Sequence, residues 1–288
     1  MILTTPTLRA EFIQNAFEGC RFDNTGLIRQ VWYTAPGGQE TPFLTEESLV
    51  PGFGTGGMGL ACEFGIENPP GYDDAEPGEL FLKIGVGWLR RPDEYHYRFP
   101  RAYEIVDRGS LSTEIRTVSE NATEIQTRWD SGVHRGYGCV YTKTYRIEGN
   151  TVTTDCALSN TGDRALWNYE YAHNFFSIGE TPVEEGAYHL TTDDPAFDTR
   201  SRCEFIDYDH FPSYFSTYVG RTCEKVRRWT LKRNADGLSV SETVDFTPVR
   251  VAVWSMPHVI SCEVFHEFTL APEERHTWQR VYTFGEEG

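Results

Sequence analysis

The chain has 288 residues, enough for one large domain or two small ones, and 43 acidic against 26 basic side chains leave a formal net charge of −17. That balance argues against partners with a dense negative field, which excludes wrapping nucleic acid or lying on an anionic membrane. Aromatic residues make up 14% of the chain, beside 26 glycines and 15 prolines, a mixture suited to many strands joined by turns.

The first residues, Met1-Ile-Leu-Thr-Thr-Pro-Thr-Leu-Arg9, show no basic region leading into a long apolar run, so no signal peptide is expected. No stretch reaches the roughly 18 apolar residues of a membrane span. Seven cysteines (20, 62, 139, 156, 203, 223 and 262) are odd in number and form no Cys-x-x-Cys pair. Reduced thiols in a cytoplasmic protein are expected, not a disulfide framework or a zinc knuckle. Asn121-Ala-Thr123 matches a glycosylation sequon, read here as chance because no secretory signal accompanies it.

In chain order, residues 10–34 read as two or three strands with a turn at Asp23-Asn-Thr-Gly26. Residues 35–79 carry Pro36-Gly-Gly, Pro51-Gly-Phe-Gly-Thr-Gly-Gly, Pro69-Pro-Gly and Pro77-Gly, which predicts a long excursion of loops of the kind that often bind ligands. Gly52-Phe-Gly-Thr-Gly-Gly57 fits the letters of a dinucleotide fingerprint, but it lacks a strand before it and room for a helix after it. A loop whose backbone approaches a ligand or another strand closely is the expectation instead. Glu79–Leu89 reads as one strand, with Leu80, Leu82, Ile84, Val86 and Trp88 on one face and Phe81, Lys83, Gly85 and Gly87 on the other.

Paired strands are predicted at 111–118 and 122–129 around Ser119-Glu-Asn, and at 139–147 and 151–159 around Glu148-Gly-Asn. After the turn Asn160-Thr-Gly-Asp163 comes the stretch on which the reading centres, Leu166 to Gly179. Period two places Trp167, Tyr169, Tyr171 and His173 on one face, and Leu166, Asn168, Glu170, Ala172 and Asn174 on the other. Residues 180–220 are loop-rich and acidic (Asp193-Asp-Pro, Asp207-Tyr-Asp), and 224–233 with 238–246 form a hairpin over Asn234-Ala-Asp-Gly. In 259–270, Ile260, Cys262, Val264, Phe268 and Leu270 oppose Ser261, Glu263, Phe265 and Glu267, and a last strand covers 276–284. Strands at this spacing with no linker predict one domain, 1–288, built as a large, mostly antiparallel all-β sandwich.

The eight histidines show no metal-ligand spacing, and no Gly-x-Ser-x-Gly elbow is present. Acid–base chemistry remains, which needs one proton donor and one acceptor within reach of a substrate. Lys83, His173 and Glu263 each stand on the face opposite their strand's apolar side, and Glu267 follows Glu263 along the same face. The plainer alternatives are a core histidine, a solvated carboxylate and a surface ammonium lying over Phe81.

Three places in the sequence resemble the galactose mutarotase-like superfamily, the aldose 1-epimerases and their hexose-phosphate epimerase relatives. Tyr171-Ala-His-Asn-Phe-Phe-Ser-Ile-Gly179 is similar to the family's histidine segment. Ile260-Ser-Cys-Glu263 with Leu270-Ala-Pro-Glu-Glu and Trp278-Gln-Arg-Val-Tyr-Thr-Phe284 is similar to its glutamate strand, turn and closing strand. Phe81-Leu-Lys-Ile-Gly-Val-Gly-Trp88 stands in the place of a Leu-His-Gly-Gly segment. The resemblance implies a β-supersandwich, no cofactor and no metal, with His173 as general acid and Glu263 as general base in opening and closing a sugar ring. It also implies a sugar ligand near Tyr171, Asn174 and Glu267, with Glu63 and the Tyr72-Asp-Asp74 loop at the mouth. Lys83 replaces a family histidine and would suit an acidic or phosphorylated sugar, while His96, in Glu94-Tyr-His-Tyr-Arg-Phe99, could supply the missing imidazole. A carbohydrate-binding module on the same fold and a sugar lyase or hydrolase stay open as alternatives.

Overall fold

The computed structural model of the protein describes residues 1–119, 122–194, 214–219 and 225–286. Its first strands, β1 (Ile2–Thr4), β2 (Leu8–Ile13), β3 (Leu27–Thr34) and β4 (Glu40–Pro42), pair in sequence order as a four-stranded sheet. β5 (Leu60–Phe64) joins another layer, and β6 (Leu80–Lys83), β7 (Gly87–Arg90) and β8 (Ile105–Asp107) form a small three-stranded sheet. Next come β9 (Ser110–Ser119), β10 (Ala122–His134), β11 (Tyr137–Glu148), β12 (Thr151–Asn160) and β13 (Leu166–Asn174). After a 3-10 turn at Ile178–Glu180 follow β14 (Tyr188–Thr192), β15 (Tyr214–Val219), β16 (Arg228–Arg233) and β17 (Leu238–Val244). The chain closes with β18 (Arg250–Met256), β19 (Val259–Leu270) and β20 (Arg275–Glu286).

Two of the sheets make the sandwich. One has eight strands in the order β14-β16-β17-β20-β12-β11-β10-β9; the other has five, β15-β18-β19-β13-β5. Their pairings are antiparallel, both in hairpins such as β10–β11 and between strands far apart in the chain such as β12–β20. Among the described residues no α-helix occurs, and no helix is long and apolar enough to cross a membrane. The expected all-β sandwich is the observed architecture.

Burial follows the alternation read from the sequence. Leu166, Val264, Phe268 and Leu270 from the five-stranded sheet meet Leu158, Trp278, Tyr282 and Phe284 from the eight-stranded one in a single apolar core. That core also encloses charge. Arg280 reaches Glu170 at 2.7 Å and Glu242 at 2.8 Å, and Tyr282 and Trp229 donate to Glu242 at 2.8 and 2.6 Å. Burial raises the Glu170 carboxyl above its usual range, although the guanidinium opposes this. The network rivets the two layers at a point where neither carboxylate can find water.

Two expectations need correction here. Glu79–Leu89 is not one strand but the hairpin β6–β7, reversed at Ile84-Gly85-Val86. Gly85 takes φ +77, and a Cβ there would collide with the Asp23 carboxylate. The excursion 35–79 also holds two strands, β4 and β5, and β5 belongs to the sheet that carries the site. Cys20, Cys62, Cys139 and Cys156 are free thiols. Asn121 of the sequon, Cys203, Cys223 and Asp207-Tyr-Asp209 lie outside the described residues.

Because Arg280 separates two buried carboxylates, Arg280→Met should cost about 3–5 kcal/mol of unfolding free energy near neutral pH. Lowering the pH should recover part of that loss as Glu170, already raised by burial, takes up a proton. Urea denaturation of both proteins at two pH values checks this, and an equal loss at both would disprove it.

Candidate active site

The face of the five-stranded sheet turned away from the core carries the aromatic stripe of β13 and the polar stripe of β19. Tyr171 pairs with Phe265, and the Phe176–Ile260 bridge continues the same register, so His173 stands directly opposite Glu263. His173 Nε2 lies 3.4 Å from Glu263 Oε1, and the Ser261 hydroxyl lies 3.2 Å from His173 Nδ1. The Phe175 ring stacks on the imidazole at 4.5 Å, and Trp254 from β18 meets it edge-on at 5.3 Å. A Cβ on Gly57 would overlap the Phe175 ring, the close approach expected of this loop, whereas a Cβ on Gly52 or Gly56 would meet nothing within 4 Å.

The pair is nearly sealed, with His173 4% and Glu263 3% exposed. Burial pushes Glu263 up to about 8, against the opposing influence of Arg21 and Ser261. Burial, and then the Arg21 charge, hold His173 well below the ordinary histidine value. Both shifts favour the neutral forms, the protonated carboxyl and the uncharged imidazole.

Beside it lies a second polar cluster, centred on Glu63 of β5. Glu63 pairs across the ladder with Tyr171, whose hydroxyl donates to Glu63 Oε2 at 2.7 Å. Arg21 Nε donates to the same oxygen at 2.9 Å, and Lys83 Nζ donates to Oε1 at 3.0 Å. Arg21 also reaches the Tyr171 hydroxyl at 3.2 Å and Thr55 at 2.7 Å, and Thr55 is held by Glu47 at 2.8 Å. Burial alone would raise the Glu63 carboxyl, but Lys83 and Arg21 overcome it and keep the group below the usual carboxylate range.

The residues singled out in the sequence divide accordingly. His173, Glu263, Tyr171, Glu63 and Lys83 come together. Lys83 is fully buried instead of lying on a surface, and its three donors go to Glu63, the Gly65 carbonyl at 3.3 Å and the Tyr97 hydroxyl at 3.0 Å. None is left to meet an acidic or phosphorylated sugar. His96 is exposed and packs on Tyr95, whereas its neighbour Tyr97 turns inward to meet Lys83. Asn174 faces the core, where it bonds Tyr282 at 3.3 Å, since it is one position out of phase with His173.

Glu267 accepts a bond from Trp167 at 2.7 Å and lies four residues from Glu263, about 13 Å along the strand. Tyr72 is buried under the three-stranded sheet, where its ring meets Tyr97 at 5.5 Å, whereas Asp74 pairs with Arg164 at 2.6 Å on the exposed side of the loop. Sequence reasoning missed Arg21, Ser261, Trp254 and Tyr97. Ser261 had a signal, two residues before Glu263 on the same face; Arg21 is a lone arginine in a loop and had none.

The raised Glu263 value has a definite sign in stability. Its contribution is complete below the unfolded value near 4.5 and is lost as pH rises through about 8. Glu263→Gln carries no charge at any pH. It should gain on the wild type steadily between these limits, by a few kcal/mol above pH ~9. Parallel stability curves for the two proteins across this range would refute it.

No family model matches the sequence, and no curated protein matches it either. Solved structures do match, over nearly the whole chain. The Slr1438 protein from Synechocystis sp. PCC 6803 superposes with a TM-score of 0.62 at 11% identity, covering 99% of this chain and 95% of that one. A galactose mutarotase-like protein from Clostridium acetobutylicum gives 0.62 at 9% identity, over 99% and 95% of the two chains. A galactose mutarotase related enzyme from Lactobacillus acidophilus gives 0.56 at 10% identity, over 99% and 96%. Identities this low speak for the path of the backbone alone, and on that ground the chain has the galactose mutarotase-like fold.

Proposed function

We propose that the protein is a sugar-ring isomerase of the aldose 1-epimerase type, with His173 and Glu263 as its proton-transfer pair. The observation that carries this reading is their placement as direct cross-strand partners, 3.4 Å apart, on the face turned away from the core. In a cyclic aldose the ring oxygen and the anomeric hydroxyl are bonded to the same carbon. One group must give a proton to the first while another takes one from the second, so the two groups must be near neighbours.

The resting pair holds the one proton the reaction needs. Its transfer from Glu263 to His173 Nε2 leaves a carboxylate and an imidazolium. In the tautomer protonated at Nδ1, Ser261 accepts from Nδ1–H and Nε2 is the working nitrogen. The carboxylate removes the proton of the anomeric hydroxyl as the imidazolium protonates the ring oxygen; the bond from C1 to the ring oxygen breaks and a carbonyl forms. Rotation about C1–C2 and the reverse steps on the other carbonyl face yield the other anomer, with no net gain or loss of protons.

The ligand class follows from charge. Arg21 and Lys83 are balanced by Glu63 and Glu47, so among the described residues this site offers no uncommitted cation. A neutral sugar fits that balance, approaching from the side where Arg21 and Trp254 keep partial exposure.

Anomer exchange followed by NMR over neutral, acidic and phosphorylated aldoses tests the proposal. Exchange should be catalysed for a neutral aldose, and His173→Ala and Glu263→Gln should each lower kcat/KM by roughly 10²–10⁴. Saturable sugar binding without exchange would establish a binding module instead, and release of a reducing end or an unsaturated product would establish a hydrolase or lyase. The wild-type rate should also fall as pH passes about 8, where the pair loses its proton. A rate that keeps rising through pH ~9 would refute the one-proton pair.

A further inference from the structure

The eight-stranded sheet ends at β9, whose outer edge makes no backbone hydrogen bond to another described residue. β9 is ten residues long, Ser-Leu-Ser-Thr-Glu-Ile-Arg-Thr-Val-Ser, without proline, lysine or glycine. Its one irregularity against β10 falls at the turn end, between Ala122 and Thr123. Proteins usually blunt an edge of this length with such residues, with a bulge or with a cover. Ser112 through Arg116 are exposed although they alternate between faces, so this part of the strand overhangs the core. Ile115 is 50% exposed, whereas Ile125, its partner on β10, is fully buried. An apolar side chain and an open ladder thus lie where one more strand would cover both.

The sequence of β9 identifies that strand. Only alternate residues point their N–H and C=O groups outward, so a second β9 can pair antiparallel only in registers that set some residue opposite its own copy. Centring on Glu114 opposes two carboxylates, and centring on Arg116 opposes two guanidiniums. Centring on Ile115 sets Glu114 opposite Arg116 at two symmetric places and joins the isoleucines at the axis. In the single chain Glu114 and Arg116 bond each other at 2.7 Å along one exposed face, ready to exchange partners. We propose that the protein forms a two-fold dimer through β9, its two eight-stranded sheets joined edge to edge with Ile115 on the axis.

The net charge of −17 opposes association, so the test belongs at physiological salt, where the screening length is about 8 Å. Sedimentation equilibrium of the full chain, from micromolar to hundreds of micromolar, should show a monomer–dimer equilibrium. Arg116→Glu and Glu114→Arg each place like charges in opposition and should weaken the dimer at least about ten-fold. The double exchange, Glu114→Arg with Arg116→Glu, restores complementarity and should restore the dimer; it also controls for folding. A wild type that stays monomeric over this range overturns the proposal. So does a dimer that either single exchange leaves unchanged, because another surface would then hold it.

Discussion

A carboxylate with no contact with water, Glu63, is the constraint on which the surroundings of the site depend. An isolated buried carboxylate would cost several kcal/mol, so the chain must bring counter-charge and donors to it. It does so from three separate places: the loop before β3 through Arg21, β6 through Lys83, and β13 through Tyr171. Each is oriented by what it must reach. Arg21 then extends the chain of contacts to Thr55, and through it to Glu47 and the glycine-rich loop. A loop with few apolar contacts of its own is thereby held against the sheet by polar bonds.

The His173–Glu263 pair lies under different rules. It receives no comparable compensation, and Phe175 and Trp254 surround the imidazole with apolar surface. Neutral forms are favoured on both sides, since burial raises the carboxyl and lowers the imidazole. One sheet face thus presents two carboxyls with opposite habits, Glu63 held below the usual range by its partners and Glu263 raised by burial. Such divergence between neighbouring like groups is what acid–base chemistry at neutral pH requires.

The same burial that tunes the pair also restricts access to it. His173 and Glu263 retain only a few percent of their surface, so any ligand of the pair would have to displace or slip past the partly exposed Arg21 and Trp254. At the far edge of the eight-stranded sheet the situation reverses. There β9 leaves backbone and an isoleucine open to water, and local charge order is the feature that distinguishes one register from another.

Period-two alternation sufficed for the sandwich, because one buried face per strand writes itself into successive residues. It separated His173 from Asn174 and set Ser261 and Glu263 on the same side of their strand. It could not say that β13 and β19 are neighbours, nor that their register makes His173 and Glu263 partners, since register joins residues ninety positions apart. Lys83 shows the limit most clearly. Its strand pattern announced a lysine on an open face, but whether that face meets water or Glu63 depends on where β5 and the Tyr97 loop come to rest. Arg21 had no pattern around it, because one side chain in a loop acquires its role from partners supplied by distant strands. The sequence by itself therefore determined which side chains share a face, a property of local backbone geometry. Which faces meet, which charges cancel and where the proton resides were decided only by the tertiary structure, because burial and Coulomb energy depend on distances between segments the chain order leaves far apart.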